Sequence, residues 1–375
     1  MVLVRRPAQS IFRELTVIVD SHAHVFPHLA GPCGFPTTSA HLRFLQLYIV
    51  GHPNPVRRLR DHAVVEGKRP LSGPPVAPDR LLDVDFRVGK YGRFEWTLDG
   101  EDYYLSFLPP SMQQLESPPE FLLQQMAHAG VDRVFLQNAH LYGRLEDYFA
   151  AAVRSYPDKF IALAGVDESQ ASEAEEIRRL RASVRELGMR GLYYANRGLF
   201  QEGYRRFFDD ESFEPYWQEV VALGIPVFWE IGPVPEPSRE NLLREIDRLN
   251  RWAERHPTIP CLYTHGFAPD LLQGDPPEPV ARLLRNEQFM VEILYPIHWA
   301  RDHQYPFAEL RPVLRTLYDA VGAHRLVWGS DIPNVERNCT YKQALEYLYS
   351  GLDFVPPSEM DRILGGNVLR LMRGE

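Results

Sequence analysis

Two histidines one residue apart, His22 and His24, stand in Asp20-Ser21-His22-Ala23-His24 after the apolar run 15–19. Side chains alternate along a strand, so both imidazoles point to one face, about 7 Å apart along the chain. Two imidazoles on one face at the exit of a buried strand can hold one divalent metal ion. Alone, the pattern is short and common, and two unrelated histidines near a strand end explain it equally well. Side chains of matching chemistry, however, end other apolar runs. Glu230 lies at the end of 225–231, His265 follows Tyr263-Thr264, and Asp331 follows Trp328-Gly329-Ser330. Singly, these read as a buried ion-pair partner, a core histidine and a helix N-cap. Together, three imidazoles with one carboxylate, or two of each, suit Zn²⁺, Mn²⁺ or Fe²⁺.

Such a set works only if the fold brings distant strand ends together. From about residue 117 onward, short apolar runs alternate with longer amphipathic ones. Strands are predicted at 17–20, 133–137, 160–166, 191–194, 226–231, 261–264, 289–294 and 326–329. Helices are predicted at 119–129, 145–155, 172–187, 238–256 and 308–321, with Gly130 and Gly188 placed as helix-ending glycines. Eight strands alternating with helices predict an α/β fold, a parallel (β/α)8 TIM barrel, in which residues at the C-terminal strand ends share one site. An open doubly wound sheet is the alternative, but no GxGxxG element follows the first strand to support a dinucleotide version.

The region 29–117 breaks this rhythm, since barrel loops normally run to a few residues. It is read as an insertion or lid within one barrel domain spanning 1–375. A β-hairpin is predicted at 93–107, turning at Asp99-Gly100. Leaving after the first strand, the insertion is placed on the catalytic face, covering the site or joining copies in a homo-oligomer.

With 45% hydrophobic residues and mean hydropathy of −0.31, the 375-residue chain has material for a large core. Its formal charge of −9 argues against a general nucleic-acid binder. No uninterrupted apolar stretch is long enough for a transmembrane helix, and residues 1–13 carry no apolar core of a secretory signal. Three scattered cysteines, Cys33, Cys261 and Cys339, predict a reducing, cytoplasmic setting without a disulfide framework.

The set His22-Ala23-His24, Thr264-His265-Gly266, Gly329-Ser330-Asp331 and the closing 364–371 segment, LGGNVLRL, resembles the amidohydrolase superfamily. Within it, the chain resembles the amidohydrolase-related branch of aminocarboxymuconate-semialdehyde-type decarboxylases and 2-pyrone-4,6-dicarboxylate lactonase. The resemblance implies that His22 and His24 are metal ligands. It makes Asp331 both a ligand and the proton carrier for water, and His265 the residue that polarises or protonates substrate. The family most often has histidine at the fifth strand, where this chain has Glu230, so either Glu230 is a carboxylate ligand or the metal site is altered or absent. Binuclear members use a carboxylated lysine, usually after the fourth strand. No lysine stands in Leu192-Tyr193-Tyr194-Ala195-Asn196-Arg197, so a single divalent ion is expected.

The expected activity is metal-dependent hydrolysis of a C–N, lactone or C–C bond in a small cyclic or carboxylated, anionic compound. Non-oxidative decarboxylation of an aromatic or muconate-type acid is the alternative. Arg197 is a candidate for gripping a substrate carboxylate, with a surface arginine the plain alternative. Tyr193 and Tyr194 alternate faces, so one enters the barrel, and Tyr194 is taken as the substrate-facing residue. His298 is taken with it, while His140 is read as packing. Glu336 and Arg337 are expected to orient Asp331. His52, His62 and His128 are given no role.

Overall fold

Each apolar run contributes one short strand. The computed structural model describes residues 17–73, 76–299 and 303–374, and the side chains of His298 and Trp299 also lie outside the described residues. The segment 1–13, read as lacking a secretory signal, lies outside them too. The barrel strands are β1 (Val19–Ala23), β6 (Arg133–Leu136), β7 (Phe160–Ala162), β8 (Leu192–Ala195), β9 (Val227–Glu230), β10 (Cys261–Tyr263), β11 (Phe289–Ile293) and β12 (Leu326–Trp328). Four more strands, β2 (Arg57–Arg58), β3 (Arg87–Val88), β4 (Arg93–Leu98) and β5 (Glu101–Ser106), lie between β1 and β6.

The parallel strands pair in the orders β1-β6-β7 and β8-β9-β10-β11-β12. Parallel bridges Ala164↔Leu192 and Ala23↔Ile332 join these two arcs into a ring. The ring closes through Asp331 N donating to His22 O and His24 N donating to Ile332 O, both at 2.8 Å. The barrel lumen is filled by one large side chain per strand position: Val19, Phe135, Leu163, Tyr193, Phe228, Leu262, Met290 and Val327. That is the packed interior expected of a closed eight-stranded barrel, with no pore. Outside the ring, the main core fills the space between strands and helices, including an aromatic group of Tyr194, Phe208, Trp217, Trp229 and Trp252.

The first strand runs later than its hydropathy predicts, through Asp20, Ser21 and His22 to Ala23. These polar residues are buried, and they stay in the strand because each finds hydrogen-bond partners there. The helix Pro119–Ala129 ends at Gly130 in the left-handed conformation, φ 76°, as the sequence requires. At the base of the barrel, Asn367 donates to Ala323 O and Leu326 O at 2.7 Å, tying the closing segment beneath β12.

The long connection after β1 forms the helix Thr38–Val50 and an antiparallel sheet in the order β2-β5-β4-β3. Strands β4 and β5 make the predicted hairpin, with Asp99 and Gly100 both at positive φ, 54° and 75°. Two left-handed residues in a two-residue loop match the twist of the flanking strands. Among the described residues no helix is long and apolar enough to cross a membrane.

Candidate metal and active site

At the C-terminal ends of the strands, His22, His24, His265 and Asp331 meet. His24 Nε2 lies 3.0 Å and His22 Nε2 3.7 Å from Asp331 Oδ1, while His265 Nε2 is 4.0 Å from Oδ2. The two Nε2 atoms of His22 and His24 are 3.2 Å apart. Among the described residues, donor atoms of His22, His265 and Asp331 all lie within 4.8 Å of one another. A break in register between Asp20 and Ala23 helps place both histidines of β1 over the barrel mouth.

The outer nitrogens settle the histidine tautomers. His22 Nδ1 faces Glu292 Oε2 at 3.0 Å, and His24 Nδ1 faces the Gln137 carbonyl at 2.8 Å. Both partners only accept, so each Nδ1 carries the hydrogen. With both rings neutral, as metal binding requires, the Nε2 lone pairs would face each other and the Asp331 carboxylate. Two imidazole Nε2 atoms and a carboxylate oxygen lying 3.0 to 3.7 Å apart form a donor set that fits a divalent ion.

Glu292 is the centre of the support. It is fully buried on β11, accepts from Ser21 Oγ at 2.5 Å and the His265 backbone N at 2.8 Å, and holds His22. Gly329 makes room for it: a Cβ there would lie 2.4 Å from Glu292 Oε1. Burial works against charge on His22, but Glu292 and Asp331 outweigh it and raise its pKa to about 9. Burial also opposes ionisation of Asp331, yet the His24 hydrogen bond and surrounding imidazoles hold its carboxyl well below the usual range. Burial, then the neighbouring His22 charge, lower the pKa of His265.

His265 and Asp331 both have positive φ, 64° and 59°. This is the left-handed region, costly for most residues and often found where function fixes a side chain. Asn334 steadies Asp331, donating to Oδ1 at 2.8 Å and to the Tyr142 hydroxyl at 2.7 Å. Below them, Asp20 accepts from Ser330 N at 3.0 Å, Ser330 Oγ at 2.6 Å and Tyr341 OH at 2.9 Å. Burial raises the Asp20 pKa to about 6 against these bonds.

A cavity of about 660 Å³ opens over this cluster, with Glu230, His265, Arg197, Arg337 and His52 on its walls. Glu230 was expected to be a metal ligand. Its carboxylate accepts a hydrogen bond from Tyr193 OH and lies on the cavity wall. Arg197 is on the wall as expected, its guanidinium 5.2 Å from the Tyr48 ring centroid.

Other expectations are corrected. Tyr194 faces outward and is buried against Trp217 and Trp229, with ring centroids 5.2 and 5.1 Å away, so it meets no substrate. Tyr193 is the residue that enters the barrel. Asn334, rather than Glu336 or Arg337, reaches Asp331, while Arg337 donates to Asn334 O at 3.0 Å and Phe107 O at 2.9 Å. His140 is buried 3.9 Å from Glu168, and burial lowers its pKa to about 3. His298 lies on the helix Tyr295–Trp299 with its side chain outside the described residues. His52, given no role above, lines the cavity from the insertion.

A closed (β/α)8 barrel with histidines and an aspartate at its strand ends defines a class of metal-site enzymes. Residues 19–373 match the family model described as amidohydrolase, and the chain belongs to that family. Several solved structures share the fold. The 2,6-dihydroxybenzoate decarboxylase from Rhizobium has a TM-score of 0.55 at 16% identity, covering 69% of this chain and 89% of its own. A probable 2-pyrone-4,6-dicarboxylic acid hydrolase from Acinetobacter baumannii, with citric acid bound, has a TM-score of 0.54 at 16% identity, covering 69% and 90%. A dihydroxybenzoic acid decarboxylase from Polaromonas sp. JS666, with manganese and 2-nitroresorcinol bound, has a TM-score of 0.52 at 15% identity, covering 67% and 85%. No curated protein matches the chain by sequence.

Proposed function

We propose that the chain is a metal-dependent hydrolase acting on a small cyclic or carboxylated compound, opening a C–N, lactone or C–C bond. The observation that carries this reading is the convergence of His22, His24, His265 and Asp331 beneath the 660 Å³ cavity. One divalent ion, Zn²⁺, Mn²⁺ or Fe²⁺, is held by His22 Nε2, His24 Nε2 and Asp331. When bound, it supplies positive charge that polarises a carbonyl and acidifies water. Manganese in the Polaromonas decarboxylase supports including it among the metals tried.

The chain's own groups supply the rest. Asp331 accepts the proton of the attacking water. His265, hydrogen-bonded through its backbone to Glu292 and partly open to the cavity, steadies negative charge on the attacked carbonyl. Arg197 binds a substrate carboxylate, with Arg337 on the same cavity wall. Glu230, on the cavity wall with His265, stands at the strand end where the family resemblance implies a histidine, and this departure is what favours hydrolysis over decarboxylation in the proposal. The decarboxylases among the fold relatives support the second reading.

Buried, unpaired Cys33, Cys261 and Cys339 fit a reducing cytoplasmic setting, and a homo-oligomer is part of the same proposal. The deciding experiment loads the protein with Mn²⁺ or Zn²⁺ and screens lactones, cyclic amides and aromatic acids. Ring opening with uptake of water and no CO₂ supports hydrolysis. Stoichiometric CO₂ replaces it with the decarboxylase reading, and metal-free protein with full activity rejects both.

A further inference from the structure

The main cavity does not end at the catalytic cluster's mouth. A second cavity of about 510 Å³ adjoins it, and the two share Arg197, Pro233 and Pro237 on their walls. Each falls in the size range of small-molecule sites. The second has a different character. Leu47 and Val50 reach it from the insertion helix Thr38–Val50, and Leu71, Phe200 and Tyr204 extend a mainly apolar lining that also carries Arg69 and Glu236. Leu47, Val50 and Phe200 belong to one hydrophobic cluster of their own, apart from the main core.

Arg197 stands at the junction. It is half-buried, and among the described residues no carboxylate oxygen lies within the 4.0 Å of an ion pair with it. Its neighbours are the Tyr48 hydroxyl and the more distant Glu230 charge. A guanidinium held there without an ion-pair partner is suited to an anion arriving from outside. An apolar compartment on one side of it and the catalytic cavity on the other define the shape of the ligand.

We infer that this second lobe belongs to the substrate site and takes the hydrocarbon arm of an amphipathic acid whose carboxylate lies against Arg197. The reacting ring or carbonyl extends the other way, toward His265. This rests on the proposed reading of the main cavity and names the substrate class more narrowly: an acid carrying an alkyl chain or second ring, larger than a single-ring acid. The physical drive is burial of the arm's apolar surface, which grows with each methylene.

The test uses titration calorimetry on the full chain with two probes, butyrate and decanoate, so that no turnover is needed. Decanoate is expected to bind at least tenfold more tightly than butyrate. Val50→Trp, which fills the lobe, is expected to erase that preference. Leu71→Glu, which puts a carboxylate on its wall, covers the case in which the tryptophan disturbs folding. Equal binding of the two acids overturns the inference, as does a decanoate preference that survives both substitutions. A dimer in light scattering that Leu71→Glu dissociates also overturns it, making this face a contact between copies. Metal content measured on the same samples separates the two proposals. A metal-free cluster with selective decanoate binding leaves the lobe standing and the metal reading failed.

Discussion

Glu292 and His22 form a fully buried carboxylate–imidazole pair, Oε2 to Nδ1 at 3.0 Å, directly behind the atoms proposed to hold metal. The same carboxylate accepts from the backbone of His265. One side chain therefore fixes two of the four residues around the site, and its removal should be felt as lost organisation.

Glu292→Gln is expected to weaken Mn²⁺ binding by about 10- to 100-fold, the usual effect of losing such a partner. Calorimetric titration of metal into the stripped protein reads this directly. Unchanged affinity would make the pair a purely structural contact.

Asp331→Asn should keep the fold and lose at least about 100-fold in turnover, because the amide cannot accept a proton from water. Asparagine tolerates the left-handed backbone that Asp331 occupies at φ 59°. Near-normal rates in a folded variant would reject Asp331 as the base.

Glu230→Gln separates two roles. With its carboxylate held by Tyr193, about one metal ion per chain should survive dialysis while turnover falls. If plasma mass spectrometry finds the ion gone, Glu230 is a ligand after all.

Asp20 gives a pH signature in stability. Its pKa rises from 3.8 to about 6 on folding, chiefly through burial, so the folded state takes up a proton in that interval. That contribution is fully present below pH about 4 and is lost as pH rises through about 6. Urea midpoints should fall over this window in the wild type and change less in Asp20→Asn. Parallel curves for the two proteins would show that Asp20 does not titrate there.

Tyr194→Phe should leave kinetics unchanged and raise stability by up to about 1 kcal/mol, since the Tyr194 hydroxyl is buried without a partner. Altered KM in this variant would contradict its position outside the barrel.

Much of this architecture is legible before folding is considered. His22, His24, His265 and Asp331 are readable because each ends an apolar run, and a barrel gathers such ends whatever lies between. Glu292 was missed because it sits inside such a run, Phe289-Met290-Val291-Glu292-Ile293. The clue is period two: Met290 fills the barrel lumen, so Glu292 lies on the same face one step nearer the mouth. The choice between Tyr193 and Tyr194 needed that same register, which depends on how β8 pairs with β9. Asn334, opening the short 3₁₀ turn Asn334–Arg337, and His52, in a loop, reach the site from segments where no periodicity marks direction. The second lobe comes from residues of the insertion and of the segments after β8 and β9, a meeting no local pattern announces.

The ring closes where its chemistry sits. Asp331 N bonds His22 O, and His24 N bonds Ile332 O, across more than three hundred residues of sequence. During synthesis the histidines emerge first and wait for more than three hundred further residues before their aspartate arrives. No partial product, whether stalled, truncated or cleaved before residue 331, can assemble the donor set. Metal capture at the proposed site is thus coupled to synthesis past residue 331: an ion held by His22, His24 and Asp331 together would also fasten β1 to β12, acting against the large entropy of closing so long a loop.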